Sequence, residues 1–262
     1  MNQTLVPSAI SFCGSDDQYP VTSFVPKSLP WSSVDVLAGL DRSDVALSDA
    51  DLGEFKAVLW NDLRSEFDAE NFCDHLKKQN AQFSTEFKAF EHVWRRDEFN
   101  HYVGFRMLYC MLYDEDEALV EAQLRSVPAD FAPISHLLAD EFVTTLLLAY
   151  DEIATTKSYA ADLSFYKSWG HDAFHSWIKL VTRDESYHFN NLMRLIEVKH
   201  PDRIAEIPMH VERFIEWDLN GSEYRGTFVL DHDGHYFNEE FLRDCGNAMS
   251  HYFDRKREVR AV

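Results

Sequence analysis

The sequence contains the motif Glu-x-x-His twice, as Glu98 with His101 and as Glu185 with His188. Each copy belongs to a longer run, Arg-Asp-Glu-x-x-His. Residues i and i+3 project from the same face of an α-helix, so each pair can bind one metal ion. Because two such helices must face each other to share a site, this feature predicts a helical bundle with metal ligands inside.

The residues around both motifs place them on inward faces. Each motif lies in a stripe of mostly apolar residues at helical spacing, with Glu and His where Leu would be expected. The first stripe consists of Phe87, Glu91, Trp94, Glu98, His101, Phe105, Leu108 and Leu112. The second consists of Phe174, Ile178, Val181, Glu185, His188, Leu192 and Leu195.

A bundle of this kind needs one further carboxylate from each of the two remaining helices. Glu152 lies on an apolar face of the third predicted helix. In the first helix both Glu66 and Glu70 are candidates, but the Glu70 stripe drifts onto Asp74 and Lys77, so we prefer Glu66. Glu66 and Glu152 then precede their Glu-x-x-His motifs by nearly the same separation, as a pseudo-two-fold site requires.

The charges explain why these groups belong together. Each isolated buried carboxylate costs several kcal/mol, and two divalent cations cancel the charge of four. Oxygen and imidazole donors without a thiolate suit iron or manganese. We therefore predict two Fe ions, with Mn/Fe as an equally acceptable pair, bound by Glu66, Glu98, His101, Glu152, Glu185 and His188.

The distribution of helix breakers favours long helices, since the chain has 20 Phe against 9 Gly and 8 Pro. Two tight hairpins joined by a connection of about 20 residues, with Pro128 and Pro133, have the order of a ferritin-like bundle. The four predicted helices cover about 51–79, 85–113, 135–169 and 172–199.

The sequence predicts three parts: an irregular N-terminal arm at 1–48, a ferritin-like di-metal four-helix bundle at 49–200, and a C-terminal segment at 201–262 packed on the bundle. Within that segment we expect a helix to about Leu219, a β-hairpin at 227–237 and a helix at 238–257. The fold class is therefore all-α, a ferritin-like four-helix bundle with extra helices and a small hairpin. The hairpin's run from Asp231 to His235 is rich in ligand types, but a solvated turn is the expected setting.

Charge and cysteine content restrict the partners and the compartment. The 45 acidic and 25 basic residues give a net charge of −20, which disfavours nucleic acid and anionic membranes. The four cysteines form no close pair, which indicates free thiols in a reducing compartment. The most apolar stretch, 142–150, is too short to cross a bilayer, and no secretory signal is apparent. We expect a cytoplasmic protein.

Several of these runs resemble the soluble acyl-carrier-protein desaturases of the ferritin-like superfamily. The segment 93–101 matches that family's second-helix motif, including Trp94 four residues before Glu98. Asp-Glu-Ile-Ala-Thr at 151–155 is similar to its third-helix Gln-Glu-Arg-Ala-Thr, and 184–188 to its fourth-helix Asp-Glu-x-x-His. The segment 58–66 resembles its first-helix motif and again selects Glu66. The resemblance covers about residues 50–200.

The resemblance implies an iron site that activates O2, with electrons from a ferredoxin-like donor and an acyl carrier protein as a possible partner. Thr155 matches a threonine beside the oxygen-binding pocket, although a hydroxyl that bonds back to a helix carbonyl is an equal alternative. Asp97 and Asp184 would orient the ligand histidines. A homodimer is the expected assembly.

The predicted function is oxidation of an unactivated C–H bond by a desaturase or hydroxylase, with a carrier-bound acyl group or another biosynthetic substrate. The alternatives are aldehyde deformylation, N-oxygenation and a ferroxidase-like metal-binding protein. An arylamine N-oxygenase would be expected to have His where Val181 stands. An apolar internal cavity beside the metals would favour an enzyme, whereas a small polar site open to solvent would favour ferroxidase.

Overall fold

The computed structural model describes residues 20–79, 82–221, 224–232 and 237–254, and within these ranges the chain is all-α with no strand. The α-helices are α1 Ser33–Leu37, α2 Asp49–Lys78, α3 Thr85–Tyr113, α4 Glu117–Ser126, α5 Glu141–Ser168, α6 Asp172–Lys199, α7 Ile207–Leu219 and α8 Glu239–Ser250. Short 3-10 turns occupy Arg42–Asp44 and Pro201–Glu206.

Side-chain caps set where the long helices begin. Ser48 and Asp51 form a capping box at the start of α2, because each side chain accepts from the other's backbone N–H. Ser84 caps α3, Asp140 caps α5 and His171 caps α6 by accepting a backbone N–H of the first turn. The four long helices therefore begin at polar residues that precede apolar stripes.

The long helices pack in two sequential pairs, α2 with α3 and α5 with α6, and the two pairs meet where α3 packs on α6. A glycine permits the closest part of that contact. A Cβ on Gly104 would lie 2.5 Å from Nε1 of Trp177, so no larger residue fits without displacing the indole.

Two apolar cores fill the bundle. One includes Phe72, Leu146 and residues of α7 and α8, and we call it the α8-side core. The other includes Leu59, Phe105 and Leu37 of α1, and we call it the α1-side core. Each long helix passes from one core to the other, between Phe67 and Ala69 on α2, Trp94 and Tyr102 on α3, Ala154 and Tyr159 on α5, and Val181 and Phe189 on α6.

These crossings give the helix directions. Helices α2 and α6 run from the α1-side core to the α8-side core, and α3 and α5 run the opposite way. Since α3 and α5 are consecutive long helices with the same direction, the segment 114–140 must return along the length of the bundle. Helix α4 lies in this return segment.

The structure corrects several predicted boundaries. The connection after α3 contains helix α4, whose N-cap Asp116 accepts from the backbone N–H groups of Ala118 and Leu119. Helix α5 begins at Glu141 and not near residue 135, because Asp140 caps it. Helix α8 ends at Ser250, but after a turn at His251 residues 252–254 are again helical, and the rest of the predicted helix, 255–257, lies outside the described residues.

The predicted hairpin at 227–237 is not confirmed. In its described part, 227–232 and 237, the structure has no strand, and residues 233–236, with the predicted turn, lie outside the described residues. Phe228 and Leu230 have positive φ angles of 75° and 60°, which extended strands do not adopt. The side chains of 227–230 are buried, so packing into the core replaces strand pairing.

None of the described helices combines the length and the apolar content needed to cross a membrane. Cys73, Cys110 and Cys245 are free thiols, as expected. Cys13 lies outside the described residues.

Candidate metal centre

The six predicted metal ligands come together between the two cores, at the point where each long helix crosses from one core to the other. All are buried, with exposed fractions from 0% to 6%. They form two groups whose donor atoms lie within 4.8 Å of one another. One group is Glu66, Glu98, His101 and Glu185, and the other is Glu98, Glu152, Glu185 and His188.

In the first group, the imidazole of His101 faces carboxylates from three helices. Its Nδ1 lies 3.0 Å from Oε1 of Glu185, 3.4 Å from Oε2 of Glu66 and 3.9 Å from Oε2 of Glu98. Helix α2 supplies Glu66, α3 supplies the Glu-x-x-His pair and α6 supplies Glu185.

The second group repeats this arrangement. Nδ1 of His188 lies 3.0 Å from Oε1 of Glu98, 3.1 Å from Oε2 of Glu185 and 3.2 Å from Oε2 of Glu152. The two imidazole centroids are 6.0 Å apart. Glu98 and Glu185 belong to both groups, so they occupy the positions of carboxylates that would bridge two ions.

Several of the ligand atoms of this cluster are left without hydrogen bonds. Within the described chain, the buried atoms that lack a partner include Oε2 of Glu66, Oε1 of Glu98, Oε1 of Glu185, and ring nitrogens of both histidines. Buried polar atoms are normally satisfied, and orphaned ones point to an unseen ion or water. Four carboxylates and two imidazoles in this arrangement fit two divalent cations of the iron or manganese type.

The proton affinities of these groups reflect uncompensated charge. Burial and the neighbouring Glu98 raise the pKa of Glu66, and burial and Glu185 raise that of Glu152. Burial would lower the pKa of His101 and His188, but the facing carboxylates reverse this and raise both. Burial likewise opposes ionisation of Glu185, yet the two histidines hold its pKa low. Protons thus neutralise part of the charge that metal ions would neutralise.

Each histidine has an aspartate on its outer side, as predicted, and the pairing crosses between the two halves. Nε2 of His101 lies 3.5 Å from Oδ2 of Asp184, and Nε2 of His188 lies 3.5 Å from Oδ2 of Asp97. These aspartates lie on the Nε2 side of rings whose Nδ1 faces the glutamates, so they are placed to orient both ligands.

The N-terminal arm completes this outer layer, which the sequence did not predict. The indole N–H of Trp31 donates to Oδ2 of Asp184, and the hydroxyl of Ser28 donates to Oδ2 of Asp97 at 3.1 Å. Arg183 pairs with Asp184, and Arg96 with Asp97. The repeated Arg-Asp before each motif was a signal for the arginine contacts, whereas nothing local marked Ser28 or Trp31.

Two further donors contact the lone glutamates. The indole N–H of Trp94 donates to Oε1 of Glu152 at 2.6 Å, and the hydroxyl of Tyr159 donates to Oε1 of Glu66 at 2.7 Å. Glu70, the alternative first-helix candidate, forms an ion pair with Arg95 and is not part of either group. The geometry therefore favours Glu66, as preferred from the sequence.

A cavity of about 280 Å³ lies beside the centre, and most of its lining residues belong to α2, α5 and the C-terminal segment. Its walls include all four glutamates and Thr155. The Thr155 hydroxyl has no hydrogen bond to another described residue, whereas that of Thr156 bonds back to the carbonyl of Glu152 at 2.7 Å. Thr155 thus faces the same space as the glutamates.

The expectation of a solvated turn is wrong for His232. Its Nδ1 lies 2.6 Å from Oδ2 of Asp218, and its Nε2 lies 3.3 Å from Oδ1 of Asp151. Tyr150 donates to the same Asp218 at 3.0 Å. Burial raises the pKa of Asp151 to about 6, although His232 opposes the shift. Asp151 and His232 line the cavity, so the C-terminal segment forms part of its wall.

No protein-family model, no curated protein and no solved structure matches this chain. Its function is therefore inferred from the centre itself: a buried pair of four-residue groups that share two carboxylates, beside a cavity lined by the same glutamates.

Proposed function

We propose that the protein is an O2-dependent, non-haem di-iron oxidoreductase built on a ferritin-like bundle. The observation that carries the proposal is the sharing of Glu98 and Glu185 by two buried ligand groups, each with its own histidine. The helix directions support the bundle assignment, because two consecutive long helices with the same direction distinguish it from an up-down-up-down bundle.

When bound, two reduced Fe ions supply the chemistry of O2 reduction, and Mn/Fe is the alternative pair. Hydroxylation combines one C–H bond, O2, two electrons and two protons to give C–OH and one water. Desaturation removes two hydrogens from adjacent carbons. These hydrogens, O2, two electrons and two protons together yield two waters. In both cases the electrons must come from a separate donor, for which a ferredoxin-like protein is the proposed class.

The residues of the chain have distinct parts in this scheme. Glu66, Glu152 and the two shared glutamates would hold the ions with both histidines, and Asp97 and Asp184 keep the rings oriented. Thr155 exposes a hydroxyl in the cavity beside the glutamates, where it can donate or accept a proton. The two apolar cores flank the centre and its ligands are buried, which strengthens electrostatic interactions at the site.

The substrate and partners are proposals from the resemblance. A carrier-bound acyl group is the first substrate class, with an acyl carrier protein as partner and a homodimer as the assembly. Aldehyde deformylation and N-oxygenation use the same metal centre and would pass the same metal test.

A ferroxidase-like protein without an organic substrate is the second candidate. The observation that favours it is the cavity, which opens to the surface and has many carboxylates in its wall. Its volume of about 280 Å³ nevertheless exceeds what iron ions need. An organic substrate therefore remains our first choice.

The test is metal content and O2 uptake after anaerobic reconstitution with Fe(II). We expect about two Fe per chain, an optical change on exposure to O2, and O2 consumption. The Glu98→Ala/Glu185→Ala variant should lose both ions, because it removes the shared ligands. The Glu54→Ala/Glu216→Ala variant, which removes two exposed carboxylates, is the matched control.

Iron binding that persists unchanged in the Glu98→Ala/Glu185→Ala variant would contradict the proposal. Rapid O2 uptake with continued accumulation of Fe(III), far beyond two per chain, would favour the ferroxidase alternative.

A further inference from the structure

The cavity beside the metal centre has the size of a site for a short organic molecule. Its volume is about 280 Å³, just below the range of about 300–1,000 Å³ of sites for drug-sized ligands. Glu66, Glu98, Glu152 and Glu185 form its inner end, so a bound molecule would lie against the metal-binding oxygens. A long acyl chain requires a longer apolar channel than this.

Polar side chains from three parts of the chain form the outer walls of the cavity. Some of the charged ones have a partner of opposite charge, and one has none among the described residues. Nε of Arg64 lies 3.4 Å from Oδ2 of Asp68. His232 is held between Asp151 and Asp218. Arg64 and His232 therefore already have carboxylate partners, and Arg225, the third basic residue of the wall, is not without a partner either.

Asp62 is the contrasting case. Its half-buried carboxylate lines the cavity and has no hydrogen bond or ion pair with any other residue in the part of the chain that the structure describes. Burial and the charge of Asp162 raise the pKa of Asp62 well above its usual range. A carboxylate in this setting would be stabilised by a cation, and an ammonium group donates three hydrogen bonds without accepting any.

Asp62 lies one helical turn from Glu66, a predicted metal ligand. It precedes Glu66 by four residues on α2, so both side chains project from one face of the helix, about 5–6 Å apart at their Cβ atoms. A molecule held at Asp62 by its ammonium group would thus place carbon atoms only a few bonds away beside Glu66. Trp94 and Phe228 supply apolar wall for that carbon chain.

We propose that the substrate of this centre is a short organic molecule with an amino group, bound in the cavity with its ammonium at Asp62 and its C–H bonds toward the metal-binding glutamates. The inference rests on the proposed function and replaces the carrier-bound acyl group with a short amine as the first substrate class.

The experiment measures calorimetric binding of four probes to the full chain loaded anaerobically with Fe(II). The probes are 1-pentylamine, pentanoate, 1-pentanol and dodecanoate. We expect pentylamine to bind at least about tenfold more tightly than the other three, because a charge-assisted hydrogen bond is worth at least that factor. The Asp62→Asn variant should lose about tenfold in pentylamine affinity.

Glu54→Gln is the matched control, since it removes the same charge from an exposed position of α2 outside the cavity. It should leave pentylamine affinity unchanged. Equal binding of pentanoate, tighter binding of dodecanoate, or unchanged pentylamine affinity in Asp62→Asn would overturn the inference. So would a further Fe(II) ion that binds through Asp62 and excludes the amine.

Metal content of the same preparation separates the two proposals. Two Fe per chain without a preference for the amine would contradict only the proposed amine substrate and leave the di-iron proposal standing. If the chain binds no Fe but still prefers the amine through Asp62, the specificity of the cavity is supported and the di-iron function is contradicted.

Discussion

The two halves of the metal centre have the same ligands and different surroundings. Helices α2 and α3 supply Glu66 with Glu98 and His101, and helices α5 and α6 supply Glu152 with Glu185 and His188. Around these ligands, Tyr159 contacts Glu66 where Trp94 contacts Glu152. Trp31 contacts Asp184 where Ser28 contacts Asp97.

This difference shows that the repeat is limited to the ligands and to the Arg-Asp pairs on their outer side, Arg96 with Asp97 and Arg183 with Asp184. In the proposed di-metal centre, the repeated ligands would present equal charge from each pair of helices to one of two adjacent cations. The outer contacts are supplied by the N-terminal arm and by the facing helices, which have no repeat. The two metal positions should therefore differ in affinity, and the following changes test that difference.

The largest effect should come from Glu66→Ala. It removes the one carboxylate that the first group does not share with the second. We expect the metal affinity of that position to fall by more than about 100-fold, since even indirect partners of a ligand contribute about 10–100-fold. Chelator competition measures the affinity of each position. Glu70→Ala, whose glutamate pairs with Arg95, is the control and should retain two ions. Equal losses in both variants would reopen the choice between these residues.

Acidification should weaken metal binding in both halves. The pKa values of Glu66, Glu152, His101 and His188 are all raised, so each group holds its proton to a higher pH than usual and must release it when a metal binds. Affinity should therefore rise with pH, by up to about tenfold per pH unit for each proton displaced. Titration in buffers of different ionisation enthalpy counts the protons. Affinity independent of pH between pH 5 and 8 would contradict the protonated, metal-free cluster.

Trp31→Phe and Ser28→Ala should affect the two halves unequally. Trp31→Phe removes an indole donor from Asp184, which orients His101, and we expect about a 10-fold loss of affinity at that position. Each aspartate keeps its two bonds from the preceding arginine in either variant. Ser28→Ala should cost less, because it removes only one hydroxyl donor, whereas the Trp31 indole also lies beside the His101 ring, with centroids 6.2 Å apart. The same chelator competition measures metal affinity in both variants. Equal losses of affinity would show that the contacts of Trp31 and Ser28 do not distinguish the two halves.

The smallest effect should come from Tyr159→Phe. It leaves Oε1 of Glu66 without its hydroxyl donor, which should lower the free energy of unfolding of the metal-free protein by about 1–3 kcal/mol. Urea denaturation measures this. Tyr113→Phe, which removes a hydrogen bond to the carbonyl of Leu52 far from the centre, should destabilise the protein without changing metal affinity. An unchanged unfolding free energy in Tyr159→Phe would show that water replaces the hydroxyl.

The sequence predicted the helices and ligands where a local pattern carries the information. Apolar stripes at helical spacing indicated α2, α3, α5 and α6, and the phase of each stripe selected the inward glutamates, including Glu66 over Glu70. Boundaries were less accurate, because caps such as Asp116 and Asp140 resemble ordinary polar loop residues until their hydrogen bonds are known. The hairpin prediction relied on a turn motif, but burial of Phe228 and Leu230 determines the backbone there.

By itself, the sequence determined an all-α chain with two Glu-x-x-His helices and two partner glutamates, because side-chain periodicity is a property of each helix alone. Only the tertiary structure decided that Trp31 and Ser28 reach the outer aspartates, that Asp218 and Asp151 hold His232, and that Asp62 faces the cavity. These contacts join residues far apart in the chain. The packing of the helices and the N-terminal arm determines which of these residues meet. Local spacing in the sequence does not contain that information.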